Sequence, residues 1–145
     1  MYKQIIKLLF NEQISSSTRS TLLLFARIIF GFLFMTHGIA KLFFYSETPD
    51  SFPDPLGLGS TLSLWLVLFA EIVCPIGFML GVLFRLCLIP MIFTMCIAFF
   101  VIHAGDLLTE KELSLMYLTL FVLLCITGPG KYSIDGVIKR IYLKG

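Results

Sequence analysis

The chain has 145 residues, of which 58% are hydrophobic and only 14% charged, with a formal net charge of +2. A mean hydropathy of +0.96 excludes an ordinary soluble domain and predicts a single-domain, polytopic helical membrane protein in a lipid bilayer. No basic stripe with interleaved aromatic residues lies outside the apolar runs, so nucleic acid is not expected as a partner.

The first residues, 1–20, predict a cytosolic, amphipathic lead-in, because apolar side chains at helical spacing share one face. The run Ser15-Ser16-Ser17-Thr18 then breaks this pattern and offers caps for the helix that follows. A transmembrane domain is expected over residues 21–130. Its four spans are predicted at about 22–44, 61–80, 86–104 and 110–127.

The first span contains a polar stripe. Arg27, Gly31, Phe34, Gly38 and Lys41 fall close to one line along a helix. Because a charge facing lipid is strongly unfavourable, we expect this stripe to face other helices or a wet cavity. The two glycines allow a neighbouring helix to approach closely.

The second and third spans are expected to form a tight antiparallel hairpin, since the turn between them is very short. Glu71 is the single charge of the second span, and Gly81 is predicted to close it in the left-handed conformation. Arg85 lies at the start of the third span, and His103 lies at its end. The preceding loop, 45–60, contains three prolines and is either a lid or an inert solvated loop.

The fourth span is predicted to begin with a capping box, with Thr109 as N-cap and Glu112 at the third helical position. A cytosolic amphipathic tail is expected at residues 131–145, with Ser133 capping its short helix. The expected fold class is therefore all-α: a transmembrane four-helix bundle with short amphipathic cytosolic helices at both ends.

Charge asymmetry predicts the orientation in the membrane. Basic residues cluster at both ends of the chain and at Arg85, whereas Glu47, Asp50, Asp54 and Asp106 lie in the two other loops. The positive-inside rule therefore places both termini in the cytosol.

One group of buried charges belongs to the outer and middle part of the spans. His37, Lys41, Glu71 and His103 are candidates for ligand binding or proton handling, around a polar cavity that opens outward. Glu71 is expected to contact the first span through His37 or Lys41, directly or by water. The open alternative is that Glu71 only neutralises Lys41 or Arg27 as a structural ion pair.

A second group lies towards the cytosolic face or in caps. Arg27, Arg85, Glu112 and Asp135 are the candidates for a structural charge network, and Arg27 is expected to snorkel to cytosolic headgroups. No metal site is expected, because the four cysteines are scattered through apolar runs without a C-x-x-C motif. Two histidines without further ligand geometry are only a weak indication of haem.

The order and spacing of these residues over about residues 22–138 resemble the DoxX family of small four-span membrane proteins. The first span has a similar R-x-x-x-G and H-G-x-x-K pattern, the hairpin a similar E…G…R order, and the fourth span a similar G-P-G-x-x-S-x-D ending. The residues that carry this resemblance are Arg27, Gly31, His37, Gly38, Lys41, Glu71, Gly81, Arg85, His103, Glu112, Tyr117 and the run from Gly128 to Asp135. Cys74, Pro75 and Phe84 depart from the family pattern.

The resemblance implies a multi-pass protein of the bacterial inner membrane that serves as a membrane subunit of an oxidoreductase system. A quinone or another small molecule would then bind between helices. Since the chain has no recognisable flavin, haem or iron–sulfur motif, electrons would come from a redox partner protein or pass through the quinone itself. Glu71 and His37 would handle protons. The alternatives are a non-enzymatic scaffold or assembly factor and, third, a small transporter that requires homo-oligomerisation.

Overall fold

The computed structural model describes residues 15–143, and within this range the chain is helical and contains no strand. The all-α expectation is confirmed. Of the lead-in predicted at residues 1–20, residues 1–14 lie outside the described residues, and residues 16–20 belong to the first helix. Apart from a single 3-10 turn at Pro49–Ser51, the helices of the described residues, in chain order, are α1 (Ser16–Tyr45), α2 (Ser60–Leu80), α3 (Phe84–Ile102), α4 (Leu108–Thr127) and α5 (Ile134–Tyr142).

Three helices, α1 to α3, are long and apolar enough to cross a membrane. α4 has 20 residues, but Glu110, Lys111 and Glu112 near its start shorten its apolar stretch. α1 begins earlier than the predicted position 22, because Ser15 caps it by accepting a 3.1 Å hydrogen bond from the Thr18 amide. The Ser/Thr run therefore provides the cap that the sequence predicts.

Four helices contribute to one core of aromatic and aliphatic side chains. The Phe34 ring of α1 lies 4.9 Å from the Phe121 ring of α4, edge to face. Phe78 of α2 is 5.7 Å from Phe121 and stacks on Phe84 of α3 at 5.3 Å. Such aromatic pairs each contribute about 0.5–1.5 kcal/mol beyond area burial, so this cluster fixes how α1 to α4 pack.

The polar stripe of α1 faces this interior, as predicted. Arg27, Gly31, Phe34 and Gly38 are buried, and Lys41 is half-buried. Many large apolar side chains elsewhere on α1 to α3 are exposed, which is the distribution expected of helices that face lipid.

The turn between α2 and α3 is tight. Gly81 closes α2 at φ 67°, which confirms the predicted left-handed cap, and Leu83 also has a positive φ of 47°. A left-handed leucine is uncommon and costs on the order of 1 kcal/mol, so it requires support from neighbouring groups. That support comes from the segment after α4, described below.

The capping box predicted for α4 is wrong. α4 begins at Leu108 with Leu107 as its N-cap residue, and no side chain caps it. The Leu107 carbonyl accepts hydrogen bonds from the amides of Glu110 at 3.0 Å and Lys111 at 3.4 Å. The backbone therefore closes the first turn before Thr109 can act as a cap, and Glu112 is left exposed.

Candidate functional site

Glu71 lies in a widened turn of α2. Residues Phe69–Val73 are π-helical, with the Cys74 amide bonded to the Phe69 carbonyl five residues earlier. Pro75 explains this local geometry, because proline cannot donate to the carbonyl four residues earlier, which is that of Glu71. The sequence therefore interrupts the regular helix at its single buried acidic residue.

Glu71 forms an ion pair with Lys41 of α1. The Lys41 ammonium nitrogen lies 2.5 Å from each of the two carboxylate oxygens of Glu71. The Glu71 side chain is 1% exposed, whereas that of Lys41 is 34% exposed. The predicted polar link between Glu71 and α1 is therefore confirmed, with Lys41 as the direct partner.

Gly38 allows this pair to form. A Cβ atom added at Gly38 would lie 2.8 Å from the Glu71 Cβ and 2.7 Å from a side-chain carbon of Ile72. Only a residue without a side chain permits α1 and α2 to approach this closely. Lys41, one helical turn further along the same stripe, then reaches the carboxylate.

The two histidines have contacts of their own outside this ion pair. His37 is half-buried, and its ring packs edge to face on the Tyr117 ring of α4 at 5.9 Å. His103 ends α3, where its Nδ1 lies 2.6 Å from an Asp106 carboxylate oxygen. Among residues 15–143, no hydrogen bond joins either histidine to Glu71. Of the four candidate site residues, the structure thus pairs Lys41 with Glu71 and places His37 beside Tyr117.

Arg27 does not snorkel, contrary to expectation. Its side chain is 0% exposed, and its Nη2 donates a 2.5 Å hydrogen bond to the backbone carbonyl of Tyr132. The guanidinium also lies 5.9 Å from the centroid of the Phe84 ring. Gly81, Phe84 and the segment after α4 enclose Arg27, so it cannot reach the headgroups.

Asp135 caps the α2–α3 turn. Its carboxylate oxygens accept hydrogen bonds from the amides of Leu83 at 3.0 Å and Phe84 at 2.9 Å, and its own amide donates to the Gly81 carbonyl at 2.9 Å. These bonds stabilise the left-handed Leu83 and the start of α3. Arg85 is exposed and makes no ion pair with any carboxylate in the described part of the chain.

The tail clamp, defined here as residues 130–135, ties the ends of several helices together. The Lys131 amide donates to the Ser20 hydroxyl at 3.2 Å, and the Tyr132 hydroxyl lies 3.0 Å from that of Ser17. Ser133 caps α5, as predicted, by accepting from the Gly136 amide at 3.0 Å. The start of α1, the α2–α3 turn and the end of α4 therefore meet at one end of the molecule.

Cysteines and metal ligands add no second site in the described residues. All four cysteines are free thiols. Within residues 15–143, no group of three or more His, Cys, Asp or Glu side chains is arranged to hold a metal ion.

The Lys41–Glu71 pair has definite chemical capabilities. An ammonium beside a carboxylate in a poorly solvated interior can exchange a proton or donate hydrogen bonds to a carbonyl or anion. Because only Lys41 is partly exposed, an approaching ligand would meet the ammonium first.

The apolar helices with a buried ion pair define a multi-pass helical membrane protein. The chain belongs to the DoxX family, whose model matches residues 22–104. This match covers α1 to α3, including Lys41, Glu71 and Arg85.

A similar relative is an uncharacterized protein of Haemophilus influenzae. It is 29% identical over 128 residues, which cover 83% of this chain and 85% of the relative. No solved structure matches the chain.

Proposed function

We propose that this protein is a four-span protein of the bacterial inner membrane and the membrane subunit of an oxidoreductase system. A quinone or a similar small molecule would bind beside Lys41 and Glu71. The observation that carries this proposal is the ion pair itself: it is set in a π-helical turn, with the carboxylate buried and the ammonium partly accessible. Ionisable groups inside a membrane are rare, and they usually mark a functional site.

The fourth span is supported by the tail clamp. α3 starts at the clamp and runs away from it, whereas α4 returns, since Lys131 and Tyr132 contact the start of α1. The 20 residues of α4 span about 30 Å, the thickness of a hydrocarbon core. Its charged first turn would then lie at the opposite interface.

A quinone head group fits the donor set of this site. Its carbonyl oxygen would accept a hydrogen bond from the Lys41 ammonium, which also stabilises the negative charge of a reduced ring. Glu71 and His37 are the nearby groups that can supply or accept protons. Since this chain has no electron carrier of its own that the sequence reveals, a redox partner protein would supply the electrons.

Quinone retention tests this proposal directly. The full-length protein, purified in mild detergent, should carry quinone above the level found with an unrelated membrane protein purified in parallel. Lys41→Met should abolish this excess, whereas Lys111→Met, which removes a lysine near the start of α4, should keep it. An unchanged quinone content in Lys41→Met would contradict a site at Lys41.

A structural role for the ion pair is the second candidate, in a scaffold or assembly factor. It is favoured by the geometry of Glu71, because Lys41 already occupies both carboxylate oxygens. Removing one partner of a buried pair typically destabilises a protein by about 3–5 kcal/mol. Lys41→Met leaves the 1% exposed carboxylate without a partner, so it should lower the free energy of unfolding more than Glu71→Gln does.

A charge swap separates the two candidates. Lys41→Glu combined with Glu71→Lys keeps an ion pair but moves the ammonium to the buried position. If the pair is only structural, the swap should recover most of the stability lost in Lys41→Met. If Lys41 binds a ligand, the swapped protein should be folded and still lack quinone.

A further inference from the structure

A basic groove lies at the clamp end of the molecule, away from Glu71. It has a volume of about 730 Å³ and lies between the start of α1, the start of α3, the clamp and α5. Five cationic side chains line it, against the single carboxylate of Asp135. These cationic residues are Arg19, Arg85, Lys131, Lys139 and Arg140.

The positive charge of the groove is not neutralised within the described residues. Asp135 directs its carboxylate to the amides of Leu83 and Phe84, and none of the five cations forms an ion pair among residues 15–143. Lys131 and Arg140 donate to neutral oxygens, of Ser16 and of backbone carbonyls. Neutral acceptors leave the charge in place, so the groove is an anion-binding environment.

Apolar surface is interleaved with these cations. Leu83, Leu86 and Leu143 line the same groove and are 61%, 60% and 73% exposed. A neighbouring cavity of about 370 Å³ shares Lys131 and Arg140 with the groove and is otherwise lined mainly by apolar residues. A soluble anion would gain no binding free energy from these apolar walls, whereas an amphiphile would gain it from both the cationic side chains and the apolar residues.

We propose that the basic groove binds an anionic phospholipid, with its phosphate among the cations and its acyl chains along the exposed leucines. Arg85 and Leu86 begin α3, one of the three helices apolar enough to cross a membrane, so the groove opens at the level where lipid headgroups meet acyl chains. Basic pockets at helix ends recognise lipid phosphates by the same combination of charge and apolar contact.

Native mass spectrometry of the full-length protein in uncharged detergent tests the proposal. Phosphatidylglycerol should be retained in preference to phosphatidylethanolamine with the same acyl chains. Arg85→Gln and Lys139→Gln should each weaken phosphatidylglycerol retention about fivefold, because each removes one cation near the phosphate. Lys111→Gln, which removes one positive charge near the start of α4, should leave it unchanged.

Several outcomes would overturn the proposal. Equal retention of phosphatidylglycerol and phosphatidylethanolamine by the unmodified protein would show that the groove does not prefer an anionic lipid. An equal loss in Lys111→Gln would show a nonspecific charge effect. Displacement of the lipid by inorganic phosphate at a similar concentration would assign the groove to a soluble anion. The elution volume of each variant on size exclusion checks that it is folded.

Discussion

At the scale of single residues, Gly38 determines how closely α1 approaches Glu71. A Cβ atom there would lie 2.8 Å from the Glu71 Cβ and 3.0 Å from its carbonyl carbon, which is backbone and cannot rotate away. We predict that Gly38→Leu separates α1 from α2, breaks the Lys41–Glu71 pair and lowers the free energy of unfolding by about 2–3 kcal/mol. Titration with a denaturing detergent, followed by circular dichroism, measures this change.

The controls lie on the same helix. Ala40→Leu enlarges an exposed residue, and Leu33→Ala shortens one that is 45% exposed. Both should leave the free energy of unfolding nearly unchanged, because both residues are exposed. If Gly38→Leu were as mild as these two, the close approach of the helices would not determine the ion pair.

Sequence reasoning predicted that Glu71 contacts α1, but it did not decide between His37 and Lys41 as the partner. The spacing of Gly38 and Lys41 places both on the interior stripe, whereas depth along the helices favoured His37, and the structure pairs Glu71 with Lys41. The π-helical turn was not predicted, although Pro75 lies four residues after Glu71 and supplies the signal for it. For Arg27, the snorkelling expectation was wrong, because its acceptor is the backbone carbonyl of Tyr132, which no side-chain pattern reveals.

At the scale of elements, the tail clamp depends on Asp135. We predict that Asp135→Asn lowers the free energy of unfolding by about 1–2 kcal/mol, because an amide offers only one acceptor oxygen to the amides of Leu83 and Phe84. Hydrogen exchange should become faster at those two amides. Glu112→Gln is the matched control, since Glu112 is exposed. Unchanged protection at Leu83 and Phe84 would contradict this role of Asp135.

The loop between α1 and α2 is organised around Asp54. Its carboxylate accepts hydrogen bonds from the Ser63 hydroxyl at 2.7 Å and from the amides of Gly59 at 2.7 Å and Leu58 at 3.0 Å. These bonds, that of Ser63 foremost, hold the pKa of Asp54 below its ordinary value. The stabilisation is therefore complete above the ordinary pKa and is lost as the pH falls through the lowered pKa.

The serine at position 63 allows a direct measurement. We predict that Ser63→Ala moves the pKa of Asp54 up towards its ordinary value, because the charged carboxylate loses its strongest hydrogen bond. Carbon-13 NMR of the Asp54 carboxyl group, recorded across the titration, gives the midpoint. Ser51→Ala should not move the midpoint, since Ser51 donates to Thr48. A midpoint that is the same in all three proteins would contradict this account of the loop.

The positions of the helices could be predicted from the sequence, whereas the contacts between loops could not. The helices follow apolar runs and lie within a few residues of the expected positions, except that α1 extends back to Ser16. The contacts of the clamp could not be predicted, because they join backbone groups far apart in sequence, such as Asp135 and Leu83. Hydrophobic periodicity determines which face of a helix is buried, but it carries no information about such loop contacts.

At the scale of the whole molecule, the tail clamp brings one end of each helix together. The start of α1, the α2–α3 turn and the end of α4 meet there, so the path of the chain alternates between two ends. The basic residues of the groove lie at this end, whereas the loop with Asp50 and Asp54 lies between the far ends of α1 and α2. This separation of charge agrees with a cytosolic clamp end under the positive-inside rule.

Labelling at two positions tests both the orientation and the fourth span. In a background with the four native cysteines replaced by alanine, we predict that Asp50→Cys reacts with a membrane-impermeant thiol reagent on intact cells. Lys139→Cys, in α5, should react only after the cells are opened, because α4, as the proposed fourth span, would return the chain to the cytosolic side. If α4 did not cross the membrane, positions 50 and 139 would lie on the same side and label alike. Labelling of position 139 but not position 50 on intact cells would instead invert the orientation, and the basic groove would then face the outer leaflet.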